Sequence, residues 1–203
     1  ECRMTLTREK YEALIHERIF APGKLSDALR NRKRRSIAGD DGNLLIIAAD
    51  HTSRGKLSLG SDRTAMADRY TLLERTLECL SVPGVDGVLG SADVLEELAW
   101  LGALENKVAL GTMNRGGIMG ATWELDDRIT AYDLDHIAES GLDGGKTLIR
   151  IDYSDPAVAR TIETVAATVT GLADRGVMSL IEPLPYLKDD QGKAILDTSD
   201  ESL

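Results

Sequence analysis

The sequence predicts an α/β fold that corresponds to the first five units of a (β/α)8 TIM barrel, truncated before strand six. Short apolar runs alternate with amphipathic helical patterns along the chain, which indicates a parallel sheet. The run Leu44–Ala49 is unbroken, as in a strand that is buried on both faces. Carboxylates follow the first and fifth runs, Asp50 and Glu182, at the strand ends where a barrel places its chemistry.

The predicted barrel covers residues 43–203, and an N-terminal helical segment, residues 1–42, precedes it. Apolar side chains at helical spacing predict a first helix over Thr7–Phe20. Ser26 is a suitable N-cap for a second helix, which would contain the basic stretch Arg30–Arg35. We interpret this basic stretch as the solvated end of that helix.

After the first strand, turn residues separate the remaining elements. Ser91 stands at an N-cap position, and Pro156 stands just inside a helix start. Gly141 and Gly176 follow the ends of two helices. The predicted later strands cover residues 85–90, 107–112, 146–152 and 177–182. The predicted later helices cover residues 64–80, 91–101, 130–140 and 156–175.

The composition disfavours several classes of partner. A formal charge of −10 argues against nucleic acid and anionic membrane surfaces, because both require a cationic face. No apolar run reaches membrane-spanning length, and no signal peptide is visible, so we expect no membrane association. Two cysteines are too few for a disulfide framework, which favours a cytoplasmic protein.

Three strand-borne groups, Asp50, Lys146 and Glu182, are the candidate catalytic residues. A lysine in an apolar strand is costly to bury unless carboxylates face it, so we predict that the three share one pocket. Such a group could orient a phosphate or carbonyl substrate and move protons between carboxylate and lysine. The alternatives are that Asp50 only caps a turn and that Lys146 is an exposed residue at a strand start.

We predict that His51, Arg115 and Arg150 bind the substrate. His51 directly follows Asp50, and Arg115 lies in a glycine-rich loop that could cover a ligand, although a simple mobile loop is the alternative. Only one histidine, His51, is expected near the predicted pocket, so we expect no metal site. We also expect no cofactor.

Three short motifs together resemble the class I aldolase superfamily: Ala49-Asp50-His51, Gly144-Gly145-Lys146 and Leu180-Ile181-Glu182-Pro183. This superfamily includes the deoxyribose-phosphate, fructose-bisphosphate and tagatose-bisphosphate aldolases, and the similarity is greatest to a branch associated with inositol catabolism. The resemblance implies a (β/α)8 fold and cleavage of a carbon–carbon bond through a lysine Schiff base.

The resemblance also implies residue roles. In tagatose-bisphosphate aldolases an Asp, a Lys and a Glu on strands one, four and five line the pocket, which match Asp50, Lys146 and Glu182. The Schiff-base lysine is on the sixth strand and is therefore expected beyond Leu203.

The resemblance implies an aldehyde-lyase of carbohydrate metabolism that cleaves a small phosphorylated sugar or sugar acid, such as a dehydro-deoxy-phosphogluconate or deoxyribose phosphate. A non-catalytic sugar-phosphate-binding barrel and a barrel isomerase are the alternatives. The partners that we expect are the phosphorylated sugar and further copies of the same chain.

Overall fold

The computed structural model describes residues 4–114, 127–191 and 194–197, which form one six-stranded sheet with helices. The strands are β1 (Ile46–Ala49), β2 (Gly87–Gly90), β3 (Val108–Thr112), β4 (Gly144–Ile151), β5 (Met178–Lys188) and β6 (Ala194–Leu196). The helices are α1 (Arg8–Phe20), α2 (Gly23–Asn31), α3 (Arg69–Leu80), α4 (Ala92–Trp100), α5 (Leu134–Glu139) and α6 (Ala157–Asp174). Among these residues, no helix combines the length and the apolar content needed to cross a membrane.

The sheet follows chain order from β1 to β6. β1 to β5 pair in parallel with their neighbours, which confirms the α/β class. β6 pairs antiparallel with β5, so the sheet is mixed.

The prediction of a (β/α)8 barrel is wrong for this chain, because the described strands form an open half-barrel. β5 continues past Glu182 to Lys188, and the chain then turns back into β6. This stretch of β5 contains prolines at positions 183 and 185, which strands at a sheet edge tolerate. Among the described residues, the part of β5 from Met178 to Pro185 pairs only with β4.

The N-terminal helices pack on the same core as the helices that follow β1 and β2. Leu14 of α1 and Leu25 of α2 are fully buried, and they belong to one apolar cluster with Leu73 of α3 and Leu98 of α4. Burial of one such side chain contributes roughly 1.5–3 kcal/mol. The first helices therefore stabilise the sheet that carries the site.

The start of α1 is as predicted, but the start of α2 is not. The Thr7 hydroxyl caps α1 and accepts a hydrogen bond from the backbone N–H of Lys10 at 3.2 Å. α2 begins at Gly23, directly after Pro22, so Ser26 lies inside the helix. Its hydroxyl donates instead to the Glu96 carboxylate at 2.8 Å, a long-range contact that local sequence does not reveal.

The basic stretch is not the solvated end of a helix, because its arginines pair with the N-terminal edge of the sheet. The guanidinium of Arg32 is buried 2.5 Å from the Asp143 carboxylate, and Arg34 lies 2.9 Å from the same group. Arg35 is 2.6 Å from Asp86, which precedes β2. These ion pairs attach the N-terminal segment to the strands.

Candidate functional site

The register of the sheet places Asp50 and Lys146 at one level. Ala49, the last residue of β1, aligns through β2 and β3 with Gly145 of β4. Lys146 is early in β4, yet it pairs with Thr112, the last residue of β3. Since β4 starts two residues later along the sheet than β3, Lys146 lies at the C-terminal edge of β1 to β3, although it is near a strand start.

The Lys146 ammonium lies between two carboxylates. Its Nζ donates to Asp50 Oδ2 at 3.1 Å and is 2.5 Å from Glu182 Oε2. The Lys146 and Asp50 side chains are each 3% exposed, whereas Glu182 is 48% exposed. The three predicted catalytic residues are thus brought together, and Lys146 is not an exposed strand-start residue. Their catalytic roles remain predictions.

Asp50 does not use its side chain as a helix cap. It stands at the start of a short 3-10 turn over His51–Arg54, but its carboxylate makes no capping hydrogen bond. Instead, Oδ2 accepts from Arg54 Nη2 at 2.5 Å as well as from Lys146. The carboxylate is therefore held by two cations.

Arg54 is a site residue that sequence reasoning missed. The 3-10 turn ends at Gly55, whose φ of 73° requires the left-handed region that glycine adopts without strain. This turn returns Arg54 to the carboxylate of Asp50, four residues earlier. The four-residue spacing between an acid and an arginine was the available signal.

Asn114 is a second residue that was missed, and it fixes β4 beside the site. Its side-chain amide donates to the backbone oxygen of Leu148 at 2.6 Å and accepts from the Leu148 N–H at 2.8 Å. These bonds continue the pairing of β3 with β4 beyond Thr112. Because the partner strand is distant in sequence, no local pattern indicates this role.

The predicted substrate-binding residues have different positions. His51 Nδ1 lies 4.0 Å from Asp50 Oδ1, with the side chain 44% exposed. Arg150 is on β4, and its guanidinium carbon lies 5.1 Å from the centre of the Tyr186 ring. Arg115 lies outside the described residues.

A small cavity of about 160 Å³ opens beside Lys146. His51, Lys56 and Arg150 line it together with the Asp50–Lys146–Glu182 group, and Leu148, Leu184 and Tyr186 supply most of its less polar wall. In the part of the chain that the structure describes, no three His, Cys, Asp or Glu side chains are grouped as a metal site requires.

The sequence model of the Cgl0159-like family matches residues 42–203. The chain belongs to this family. It is also similar to the crystal structure of Cgl0159 from Corynebacterium glutamicum, with 42% sequence identity and a TM-score of 0.91. That similarity covers 97% of this chain and 66% of the Cgl0159 chain. This chain therefore spans just under two thirds of the length of the Cgl0159 chain. No curated protein matches the sequence.

In this Cgl0159-like chain, the charges around Asp50 determine its protonation. Burial raises the pKa of the carboxyl, but Arg54 and then Lys146 lower it by more, so the pKa lies below the usual 3.8. Ionised Asp50 therefore stabilises the folded state above that usual value. This stabilisation is lost as the pH falls through the lower pKa of the folded state.

We expect Arg54→Met to raise the pKa of Asp50, because the largest compensating charge is removed while burial remains. The loss of stability that Asp50 causes on acidification should then be smaller in the variant than in the unaltered protein, because the folded and unfolded pKa values of this carboxyl lie closer together. Titration of the Asp50 carboxyl carbon by NMR, together with urea unfolding at several pH values, checks both results. Arg63→Met, at an exposed arginine away from the cavity, is the matched control. An unchanged Asp50 titration in Arg54→Met would contradict this account.

Proposed function

We propose that this protein is a class I aldolase, an aldehyde-lyase that cleaves a small phosphorylated sugar or sugar acid. The observation that supports this proposal most is the Lys146 ammonium, buried between Asp50 and Glu182 beside a cavity. A buried cation with two carboxylates is suited to moving protons at an oxygen of a bound substrate. The resemblance to class I aldolases supplies the reaction.

In the proposed reaction, a lysine amine condenses with the substrate carbonyl and releases water to form an iminium ion. A base then removes the proton from the hydroxyl group β to the iminium carbon. The carbon–carbon bond breaks, an aldehyde leaves, and the electron pair forms an enamine. Protonation of the enamine carbon and hydrolysis release the second product.

The exposure of the three residues suggests how they divide these steps. Glu182 is half exposed, so its carboxylate can reach a substrate hydroxyl and accept the proton. Lys146 donates a hydrogen bond to a substrate oxygen and returns a proton to the enamine carbon. Asp50 is almost fully buried and acts by holding Lys146 in place.

Lys146 is not the proposed Schiff-base residue. An ammonium that donates to two carboxylates has no free electron pair with which to attack a carbonyl carbon. The aldolase resemblance implies a Schiff-base lysine other than Lys146, and we assign the nucleophile to none of the described residues.

Borohydride trapping of the full-length protein tests the proposal. The protein is incubated with a phosphorylated keto sugar or sugar acid, reduced, and analysed by mass spectrometry after digestion. An aldolase gains a stable adduct on one lysine and releases an aldehyde. Glycerol phosphate, which has no carbonyl group, is the control ligand. Binding without an adduct would indicate a non-catalytic protein, and conversion without cleavage would indicate an isomerase.

We also propose that the protein acts in the cytoplasm, in carbohydrate metabolism. The chain has two cysteines, and Cys79 is a free, half-buried thiol. Few cysteines and a free thiol are typical of proteins from a reducing compartment.

A further inference from the structure

Arg54 is fixed between the ends of two strands. Its Nη2 lies 2.5 Å from Oδ2 of Asp50, which directly follows β1, and donates at 3.4 Å to Oγ1 of Thr112, the last residue of β3. Asp50 and Thr112 are buried, and the Arg54 side chain is 11% exposed. The guanidinium is therefore held at two buried points, and it lines the same cavity as Lys146.

Arg54 and Lys146 bind the same oxygen atom of Asp50. Oδ2 lies 2.5 Å from Arg54 Nη2 and 3.1 Å from Lys146 Nζ. A charge-assisted hydrogen bond from an arginine stabilises the ionised form of a carboxylate. Burial raises the pKa of this carboxyl, whereas Arg54, then Lys146 and then His51 lower it below the usual 3.8. Asp50 is therefore a poor acceptor for a proton from Lys146.

Glu182 is the other carboxylate at the Lys146 ammonium, and its surroundings differ. Its Oε2 lies 2.5 Å from Lys146 Nζ, and its side chain is 48% exposed. Among the described residues, Lys146 is the one cation within ion-pair distance of Glu182. The other charged or titratable side chains in the cavity wall, besides Asp50 and Arg54, are His51, Lys56 and Arg150. Of the two carboxylates, Glu182 is therefore better placed to exchange a proton with Lys146 and with a ligand.

We infer that Arg54 is a positioning residue, which keeps Asp50 from accepting a proton from Lys146. Proton exchange at Lys146 is thereby directed to Glu182. The inference rests on the proposed function for its place in the reaction. There, Glu182 takes the proton of the substrate hydroxyl, and the Nζ–H bond of Lys146 breaks as its proton moves to the enamine carbon. The proton on Glu182 then moves to Lys146 Nζ, which restores both charges.

NMR titration of the full-length protein without substrate tests the role of Arg54 directly. The carboxyl carbons show the order in which Asp50 and Glu182 take up protons as the pH falls. Asp50 should be the second of the two in the unaltered protein and in Arg54→Lys, because a cation remains beside it. In Arg54→Met, Asp50 should take up its proton at a higher pH. If Asp50 is protonated first in the unaltered protein, the inference is overturned.

The pH dependence of turnover separates this role from a general effect on the structure. Arg54→Met should lower kcat about tenfold, part of the 100-fold or more that a positioned acid–base group supplies, with little change in KM. On acidification its turnover should also fall at a higher pH than that of the unaltered protein, because protonated Asp50 no longer holds Lys146. Arg54→Lys should recover most of the loss. A lower turnover without this shift would overturn the inference.

The Asp50→Asn background tests whether Arg54 acts through Asp50. Adding Arg54→Met to Asp50→Asn should lower kcat by no more than about twofold, because the amide carries no charge for the guanidinium to stabilise. Equal losses in the two backgrounds would show that Arg54 acts without Asp50, and this result would overturn the inference. Arg63→Met, at an exposed arginine away from the cavity, should leave both the titration and the turnover unchanged.

The inference and the aldolase proposal fail separately. An order of protonation that depends on Arg54, without a borohydride adduct, would retain the role of Arg54 and reject the aldolase. An adduct, together with a titration of Asp50 that is the same with and without Arg54, would retain the aldolase and reject this role.

Discussion

If the proposed aldolase reaction is correct, replacing Lys146 by Met should lower turnover by about 100-fold or more, the scale expected for a positioned acid–base group. Methionine has a similar length but no charge, so the change removes proton transfer with little change in packing. The cavity would then contain Asp50 and Glu182 without the ammonium that lies 3.1 Å and 2.5 Å from them. Steady-state kinetics on the substrate identified by trapping measures the loss.

The stability of the Lys146→Met variant separates a catalytic loss from a folding defect. Glu182 is half exposed and Asp50 retains Arg54, so neither carboxylate is left buried without a partner. We therefore expect only a small change in the free energy of unfolding. Lys24→Met, at an exposed lysine, is the kinetic control and should keep full turnover. Undiminished turnover in Lys146→Met would leave Lys146 without a catalytic role.

The alternation of strands and helices was predictable from the sequence, because local periodicity determines each of these elements. The apolar run Leu44–Ala49 predicted β1, although only Ile46–Ala49 pairs as a strand and Leu45 is 54% exposed. The predicted helix starts were less accurate. α3 was expected from Thr64 but begins after Asp68, whose carboxylate accepts from the Thr71 N–H at 2.8 Å. An ionised cap outweighed the start of the apolar pattern.

Closure of the sheet was not predictable in this way. Strand–helix alternation indicates parallel pairing between neighbours, but it contains no information about whether the first and last strands meet. The antiparallel return of β6 onto Tyr186–Lys188 depends on a turn after Lys188 and on long-range pairing. For that reason the barrel prediction failed while the α/β class was confirmed.

The site was predictable where a charged residue follows an apolar run in the sequence. Asp50 and Glu182 follow apolar runs, and the unusual lysine at position 146 indicated that carboxylates would face it. The position of Lys146 next to Asp50 depends on the register of β4 against β3. Only the three-dimensional pairing of these strands reveals that register. Asn114 was missed for the same reason, because its partner is the backbone of another strand.

The interpretation of the basic stretch was wrong because its partners are far away in sequence. Arg32 is joined to Asp143 across more than a hundred residues. Burial lowers the pKa of Arg32, and the Asp143 carboxylate offsets part of that effect. Asp143 Oδ2 also accepts from the backbone N–H of Ala109 in β3 at 2.9 Å. One carboxylate thus joins the N-terminal segment, β3 and the start of β4.

Asp143→Asn should destabilise the protein by about 3–5 kcal/mol, since it leaves the Arg32 guanidinium buried without a countercharge. Both side chains of the pair are at most 1% exposed, so solvent cannot replace the lost partner. Urea unfolding monitored by circular dichroism measures the change. Asp27→Asn, which removes an exposed partner of Arg30, is the control and should change stability by no more than about 0.5 kcal/mol.

A second variant distinguishes the charge from the packing. Adding Arg32→Met to Asp143→Asn removes the uncompensated guanidinium, so the double variant should recover part of the lost stability. The non-additivity of the two changes measures the coupling between Arg32 and Asp143. If the double variant is as unstable as the sum of the single variants, the loss comes from packing and the ion pair is not what holds the N-terminal segment to the sheet.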